Sequence, residues 1–187
     1  MWLDPYSARY STPENVAMYR SERLSGNQII DIGSGAGMQS IFFSKNSKVI
    51  GLEINKTRNL MSNLNAEAFA WNKPTFIRGD FNDLKITDFE EPIIFSDPLR
   101  PVLESERETN SLSPNPESIY DSYGEISENF VFDLPPQMER NKIKFTNFES
   151  EYISVNGVLN RFTIYLGNLI KKRFSAVMLP ELIRIES

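Results

Sequence analysis

The feature that most constrains this chain is the stretch QIIDIGSGAGMQSIFF, residues 28–43. An apolar run ends in a carboxylate, and three glycines spaced G-x-G-x-G lead into a second apolar segment. A short apolar run that stops at glycine reads as a buried strand, and Met38, Ile41 and Phe42 give the segment after the turn one apolar helical face. Strand, bare turn and helix in that order predict a βαβ unit and a parallel sheet. The pattern repeats downstream. KVIGLEI (48–54) predicts a second strand, TFIRGD (75–80) a third and PIIFSDP (92–98) a fourth, with Pro98 at the exit. Between them KTRNLMSNLNAEAFAW (56–71) predicts a helix with Leu60, Leu64, Ala68 and Trp71 facing the core. Upstream, TPEN (12–15) predicts a helix start, with Thr12 as N-cap and Pro13 at the first helical position. Val16, Ala17 and Leu24 share one face of that helix, and Ser25-Gly26-Asn27 ends it.

The second half changes character. Residues 99–118 carry Pro101, Pro114 and Pro116 among serines and read as a long loop. ENFVFDLP (128–135) predicts a fifth strand, followed by KIKFTNF, EYISVNGVLNRFTIYLG and AVMLPELIRIE. Asn156-Gly157 between alternating strands is a strong hairpin signal. The expected fold is therefore α/β, a single domain over 1–187, with antiparallel strands closing a mostly parallel sheet. The chain has 187 residues, 40% hydrophobic and 24% charged, which suits one sizeable soluble core. Its formal net charge of −5 does not suit a protein that holds nucleic acid by bulk electrostatics. Neither cysteine nor histidine is present, so chemistry falls to carboxylates, hydroxyls, amides or a reactive cofactor. No segment approaches a membrane-spanning length, and MWLDPYSARYSTPEN lacks a signal-peptide core, so a soluble cytoplasmic protein is expected.

The placement of the turn narrows the ligand. It follows a strand and opens a helix, so it lies at the carboxyl edge of the sheet, where open α/β folds bind ligands. A dinucleotide site wants G-x-G-x-x-G, which would put a glycine at Met38, and a phosphate loop wants a terminal Gly-Lys-Ser/Thr. Neither is present. Asp31, two residues before the first glycine, is wrong for a pyrophosphate and right for a ligand carrying a cation. S-adenosylmethionine has an ammonium and a sulfonium and no phosphate. Glu53, ending the second strand, stands where an acid binds ribose hydroxyls. Asp80 ends the third strand and can accept from an adenine amino group, with Phe81 flanking the ring. Asp97 ends the fourth, beside the expected position of the methyl group. A nicotinamide dehydrogenase fits this spacing poorly.

At DIGSGAG (31–37), GLEIN (51–55), RGDFNDL (78–84) and FSDPLRP (95–101) the chain resembles the class I S-adenosylmethionine-dependent methyltransferases. The resemblance covers roughly residues 10–168. It implies a Rossmann-like fold: a mostly parallel seven-stranded sheet with an antiparallel C-terminal hairpin and helices on both faces. It implies that Asp31, Gly33, Ser34, Gly35, Gly37 and Met38 line the methionine part of the cofactor. Glu53 and Ile54 would hold the ribose, Asp80 and Phe81 the adenine, and Asp97 and Pro98 would face the acceptor as the catalytic pair. RYSTPENVAMYRSERL further resembles the N-terminal helix of trimethylguanosine synthase-like enzymes and of methyltransferases with a THUMP-like domain, which lays residues 1–26 over the cofactor and adds Thr12 to its contacts. FSDPLRP and the later FDLPP…ESEYISVNGVLNRFTIYLG resemble the second group most. These relatives imply an RNA substrate, methylated on a base nitrogen of the guanine-amine type, with residues 99–127 forming an acceptor-side loop and helix and no metal or membrane involved.

The chain departs from that group in one place. Amino-group methyltransferases of bases carry Asp/Asn/Ser-Pro-Pro and an aromatic, where this chain has Asp97-Pro98-Leu99-Arg100. A stacking ring would then come from Trp2, Tyr6, Tyr10, Tyr120 or Tyr123. From Glu104 to Glu128 there are seven acids and one base, Arg107. This reads as a solvated loop, or as a lid selecting a cationic or neutral acceptor. Arg140-Asn-Lys142-Ile-Lys144 and Lys171-Lys172-Arg173 read as solvated faces rather than an RNA track, though either could hold a nucleic acid by its edge. Two alternatives stand beside RNA methylation: a methyltransferase for a small molecule or protein, and a non-catalytic subunit of this fold that works with a partner protein.

Overall fold

A computed structural model describes residues 1–99 and 111–187, with the backbone alone at Tyr6 and Tyr10. Chain contacts divide it into two compact units, residues 1–95 and 96–187. The first unit opens with α1 (Pro5–Tyr10) and α2 (Glu14–Arg23). It continues through β1 (Gln28–Ile32), α3 (Met38–Phe43), β2 (Lys48–Glu53), α4 (Lys56–Phe69) and β3 (Thr75–Arg78) into β4 (Ile93–Ser96). Its strands are all parallel in the order β3-β2-β1-β4, with Asp31 opposite Gly51 on one side and Phe95 on the other. The apolar runs are the strands expected, and Ile29, Ile30, Ile32, Ile93, Ile94 and Phe95 are buried.

One element of this unit is new and two expectations need correction. α1 was not foreseen; Asp4 caps it by accepting from the Ser7 N–H, and that bond holds the Asp4 carboxyl below the ordinary carboxylate range. α2 starts at Glu14, with Pro13 at the cap position and no side-chain cap bond, so Thr12 is not its N-cap. α4 is turned over. Its expected core residues Leu60, Leu64 and Trp71 are 59%, 43% and 56% exposed, while Ser62, Asn65 and Ala66 are buried. The reason is close approach. α4 lies against the glycine turn, where the Ser62 Cβ would stand 3.0 Å from a Cβ built on Gly37, so only small side chains fit. Asn65, fully buried, donates to Ala36 O and Trp2 O at 2.9 Å each and accepts from Trp2 N at 2.6 Å.

The second unit holds α5 (Pro116–Tyr123), β5 (Phe130–Leu134), β6 (Glu149–Val155), β7 (Val158–Tyr165), β8 (Phe174–Leu179) and β9 (Ile183–Glu186). Its strand order is β5-β7-β6-β8-β9. β6 and β7 form the expected hairpin, with Asn156 at φ 51° and Gly157 at φ 78° in its two-residue turn. KIKFTNF is a 3₁₀ turn and loop, not a strand. β8 runs parallel to β6, contrary to the all-antiparallel ending expected. β7 ends beside the start of β6, with Tyr165 opposite Glu149, so the short 166–173 connection delivers β8 alongside β6 in the same direction. The described residues thus contain nine strands where seven were expected. Part of the acidic loop, residues 100–110, lies outside the described residues. No helix among the described residues is long and apolar enough to cross a membrane.

The reversed α4 makes a prediction that its apolar pattern alone would invert. Leu64→Gln changes unfolding free energy by less than about 0.5 kcal/mol. Asn65→Ala, which strips partners from the buried Ala36 carbonyl and from both backbone groups of Trp2, costs about 2 kcal/mol in urea unfolding.

Candidate active site

The glycine turn is fastened to the end of β2. The Gly33 and Ser34 N–H groups both donate to Leu52 O, at 2.8 and 3.1 Å. Gly33, Gly35 and Gly37 all have positive φ, and at Gly35 (φ 57°) a Cβ would meet nothing within 4 Å. Here glycine is required by the backbone conformation, and it leaves an open cradle above the turn. Gly51, unnoticed in the sequence, is required by space: a Cβ there would stand 2.5 Å from the Phe76 ring and 2.9 Å from Ser34 Oγ. Ser34 Oγ itself is buried and makes no hydrogen bond.

Glu53 lies at the C-terminal end of β2 and is 5% exposed. Its Oε2 accepts from Gly35 N at 2.8 Å and its Oε1 from Asn55 N at 2.7 Å. The carboxylate is thus held against the cradle, and each oxygen keeps capacity for another donor. Asn55 in turn caps α4 through Thr57 N and Arg58 N. Asp31 is buried, and its Oδ2 accepts from Ser40 Oγ at 2.5 Å, tying β1 to α3. Asp80, half-buried after β3, accepts from the backbone and side-chain nitrogens of Asn82, each at 2.9 Å, beside the half-buried Phe81. Met38 is half-buried at the first position of α3, Thr12 is buried just before α2, and Ile54 is 62% exposed. Of the residues anticipated for a cofactor, the glycine turn and Glu53 are in direct contact.

Asp97 and Pro98, the pair expected to face the acceptor, belong to the second unit. Pro98 is buried and the Asp97 side chain is 32% exposed. Asp97 Oδ2 lies 3.6 Å from Arg161 Nη2, and Arg161 Nε lies 3.7 Å from Asp133 Oδ2. Asp133 is buried in β5 and accepts from Thr163 Oγ1 at 2.7 Å, across the register Asp133↔Thr163. Arg161 and Asp133 escaped the sequence reading. The available signal was the alternation in RFTIY, which puts Arg161 and Thr163 on one face of β7. Among the proposed stacking rings, Tyr123 is fully buried and withdrawn from that role. Tyr120 is 41% exposed but packs on Phe130 and Phe145, at 4.9 and 5.3 Å between centroids, while Trp2 is 63% exposed.

Residues 26–169 match the RNA cap guanine-N2 methyltransferase family, and the chain belongs to it. No curated protein matches the chain. Among solved structures, a protein described as a methyltransferase from Porphyromonas gingivalis W83 superposes with TM-score 0.80 at 15% identity, covering 97% of this chain and 49% of that one. The chain therefore spans about half the length of that relative. A protein described as an RNA methyltransferase from Pyrococcus horikoshii gives TM-score 0.55 at 20% identity, over 84% of this chain and 82% of that one. Magnesium protoporphyrin IX methyltransferase from Synechocystis PCC 6803, with bound SAM, gives 0.53 at 15% identity, over 81% and 75%. At these identities the likeness is one of fold, and it agrees with the methyltransferase-type α/β architecture expected from the sequence.

The packing at Gly51 is testable. Gly51→Ala lowers stability by about 1–3 kcal/mol in chemical denaturation, and adding Phe76→Leu recovers part of the loss.

Proposed function

We propose that this protein is an S-adenosylmethionine-dependent methyltransferase acting on the exocyclic amine of guanine in an RNA cap. The observation that carries the reading is the pairing of the open cradle at Gly35 with the buried Glu53 carboxylate held against it. These features fit the cofactor. The glycine turn offers bare backbone for the methionine portion, with Ser34 and Met38 beside it. Glu53 offers oxygens already fixed in place for ribose hydroxyls, which spares the cost of ordering them on binding. Asp80 and Phe81 supply an acceptor and a ring edge for adenine. Thr12, Asp31 and Ile54 complete the set, with Asp31 acting through its hold on Ser40 and α3.

When bound, the cofactor would supply an electrophilic methyl carbon, with a good sulfur leaving group, to the amine nitrogen. The protein's task is alignment and exclusion of water, for which no histidine is needed. Asp97 Oδ and the Pro98 carbonyl accept the amine hydrogens and aim the nitrogen lone pair. The proton released from nitrogen passes to Asp97 or to water. Arg161 holds Asp97 in orientation and shares its charge between Asp97 and Asp133. The family match supports the guanine acceptor.

Calorimetric titration with S-adenosylhomocysteine tests the first half of the reading, with Glu53→Ala expected to bind at least about tenfold more weakly. Labelled methyl transfer to capped RNA tests the second, with Asp97→Asn expected to lower kcat about 100-fold at unchanged cofactor affinity. Absence of binding by the wild type, or full activity of Asp97→Asn, would overturn the corresponding half.

A further inference from the structure

Two basic runs that are remote in sequence meet at one phenylalanine. The pairing of β6 with β8 sets Ser150 opposite Phe174, and Ser150 N donates to Arg173 O at 3.1 Å. Arg140 is drawn to the same place: Nη1 contacts Ser150 Oγ, and Nη2 donates to Phe148 O at 3.2 Å. Its guanidinium lies 4.0 Å from the Phe148 ring centroid and 4.7 Å from that of Phe174. The Arg173 guanidinium lies 5.3 Å from the same Phe174 ring. Arg140-Asn-Lys142-Ile-Lys144 and Lys171-Lys172-Arg173, which the sequence leaves as separate runs, each a solvated face or an edge for a nucleic acid, thus share a centre.

The local balance of charge is the reverse of the chain's net −5. Six cations fall within 140–144 and 171–173, and Lys142, Lys144, Lys171, Lys172 and Arg173 are exposed. Nearby acids are few. Glu186 pairs with Lys172 at 3.4 Å, Glu139 adjoins Arg140 in sequence, and Glu149 is fully buried. Glu149 Oε2 accepts the backbone N–H groups of Lys171 and Lys172, which anchors the second run just before β8. The two guanidiniums are close enough for like-charge repulsion to matter. Burial first, and then the charge of Arg173, push the Arg140 pKa down. An anion received between them would relieve that repulsion. Ser150 and Phe148 hold the Arg140 guanidinium in orientation, and planar guanidinium forks suit phosphate oxygens.

We propose that the surface formed by residues 140–144 and 171–173 binds the phosphate backbone of single-stranded RNA, through Arg140 and Arg173 on Phe174 with the flanking lysines. The proposal rests on the RNA reading of the function and adds a grip on the strand away from the methylated base. The first run lies within the family match and the second beyond it, since the match ends at residue 169.

The test is fluorescence anisotropy of a labelled, uncapped single-stranded RNA of about 20 nucleotides, long enough for such a groove, titrated over a range of salt concentrations. The double variant Lys171→Gln/Arg173→Gln removes two exposed charges and is checked for an unchanged melting temperature; Lys171→Gln alone is the fallback. The expected result is binding weakened about tenfold at low salt, with the slope of log K against log salt reduced by about 1.4 for two lost contacts on a single strand. Lys48→Gln/Lys85→Gln, exposed in the first unit, leaves both unchanged. An unaltered slope and affinity in the double variant, or wild-type binding to a polyglutamate peptide or anionic vesicles as tight as to RNA, would overturn the proposal. Wild-type methylation of capped RNA together with an unaltered slope ends the surface and keeps the function. A reduced slope without any methylation does the opposite.

Discussion

Two glycines make room for one ring. Phe76 from β3 presses on Gly51 in β2 and on Gly37 at the mouth of α3, and a Cβ at either place would stand within 2.8 Å of it. That contact lets the loop between β1 and α3 lie flat on the sheet and brings α4 in close, with Ser62 as the next wall. Everything placed at the cradle follows from this approach. The Gly33 and Ser34 N–H groups reach Leu52, Gly35 N reaches Glu53, and Asn65 reaches Ala36. A single methyl group in the wrong position would push the layers apart and undo these bonds together.

The first unit was legible because its strands are short apolar runs with acids at or just after their ends. Periodicity found the runs, and the G-x-G-x-G spacing after Asp31 found the turn. The same rule failed for α4, and for a physical reason. Helical periodicity assumes that the apolar face is the buried one. Where a helix must approach glycine backbone closely, small polar side chains with satisfied hydrogen bonds fit better than leucine. Ser62 bonds Asn59 O, and Asn65 bonds three backbone groups, so neither is left unpaired in the interior. The second unit was less legible, because its organising contacts join residues far apart in sequence. Nothing local links Asp133 to Arg161 or Arg140 to Phe174 before the strands are paired. The hairpin at Asn156-Gly157 was visible because its signal is contained in two residues.

The second unit also carries more buried charge than its sequence suggests. Glu149 and Glu151 are fully buried, with Arg184 of β9 at 3.6 and 3.8 Å and the Tyr165 hydroxyl donating to Glu151 at 2.7 Å. Buried carboxylates demand partners, and removing one partner costs far more than the pair contributes. The final strand is thereby tied to the interior by ionic demand, since its own residues Ile183 and Ile185 are exposed. Asp133 and Arg161 repeat the arrangement next to Asp97, where a buried acid fixes the guanidinium that faces the half-exposed one.

Asn65 has a consequence for the first residues of the chain. One amide side chain bonds the Ala36 carbonyl in the glycine turn and both backbone groups of Trp2. Order at the two places is therefore linked through a shared term. Loss of the Asn65 amide would take hydrogen bonds from the turn and from the first residues together.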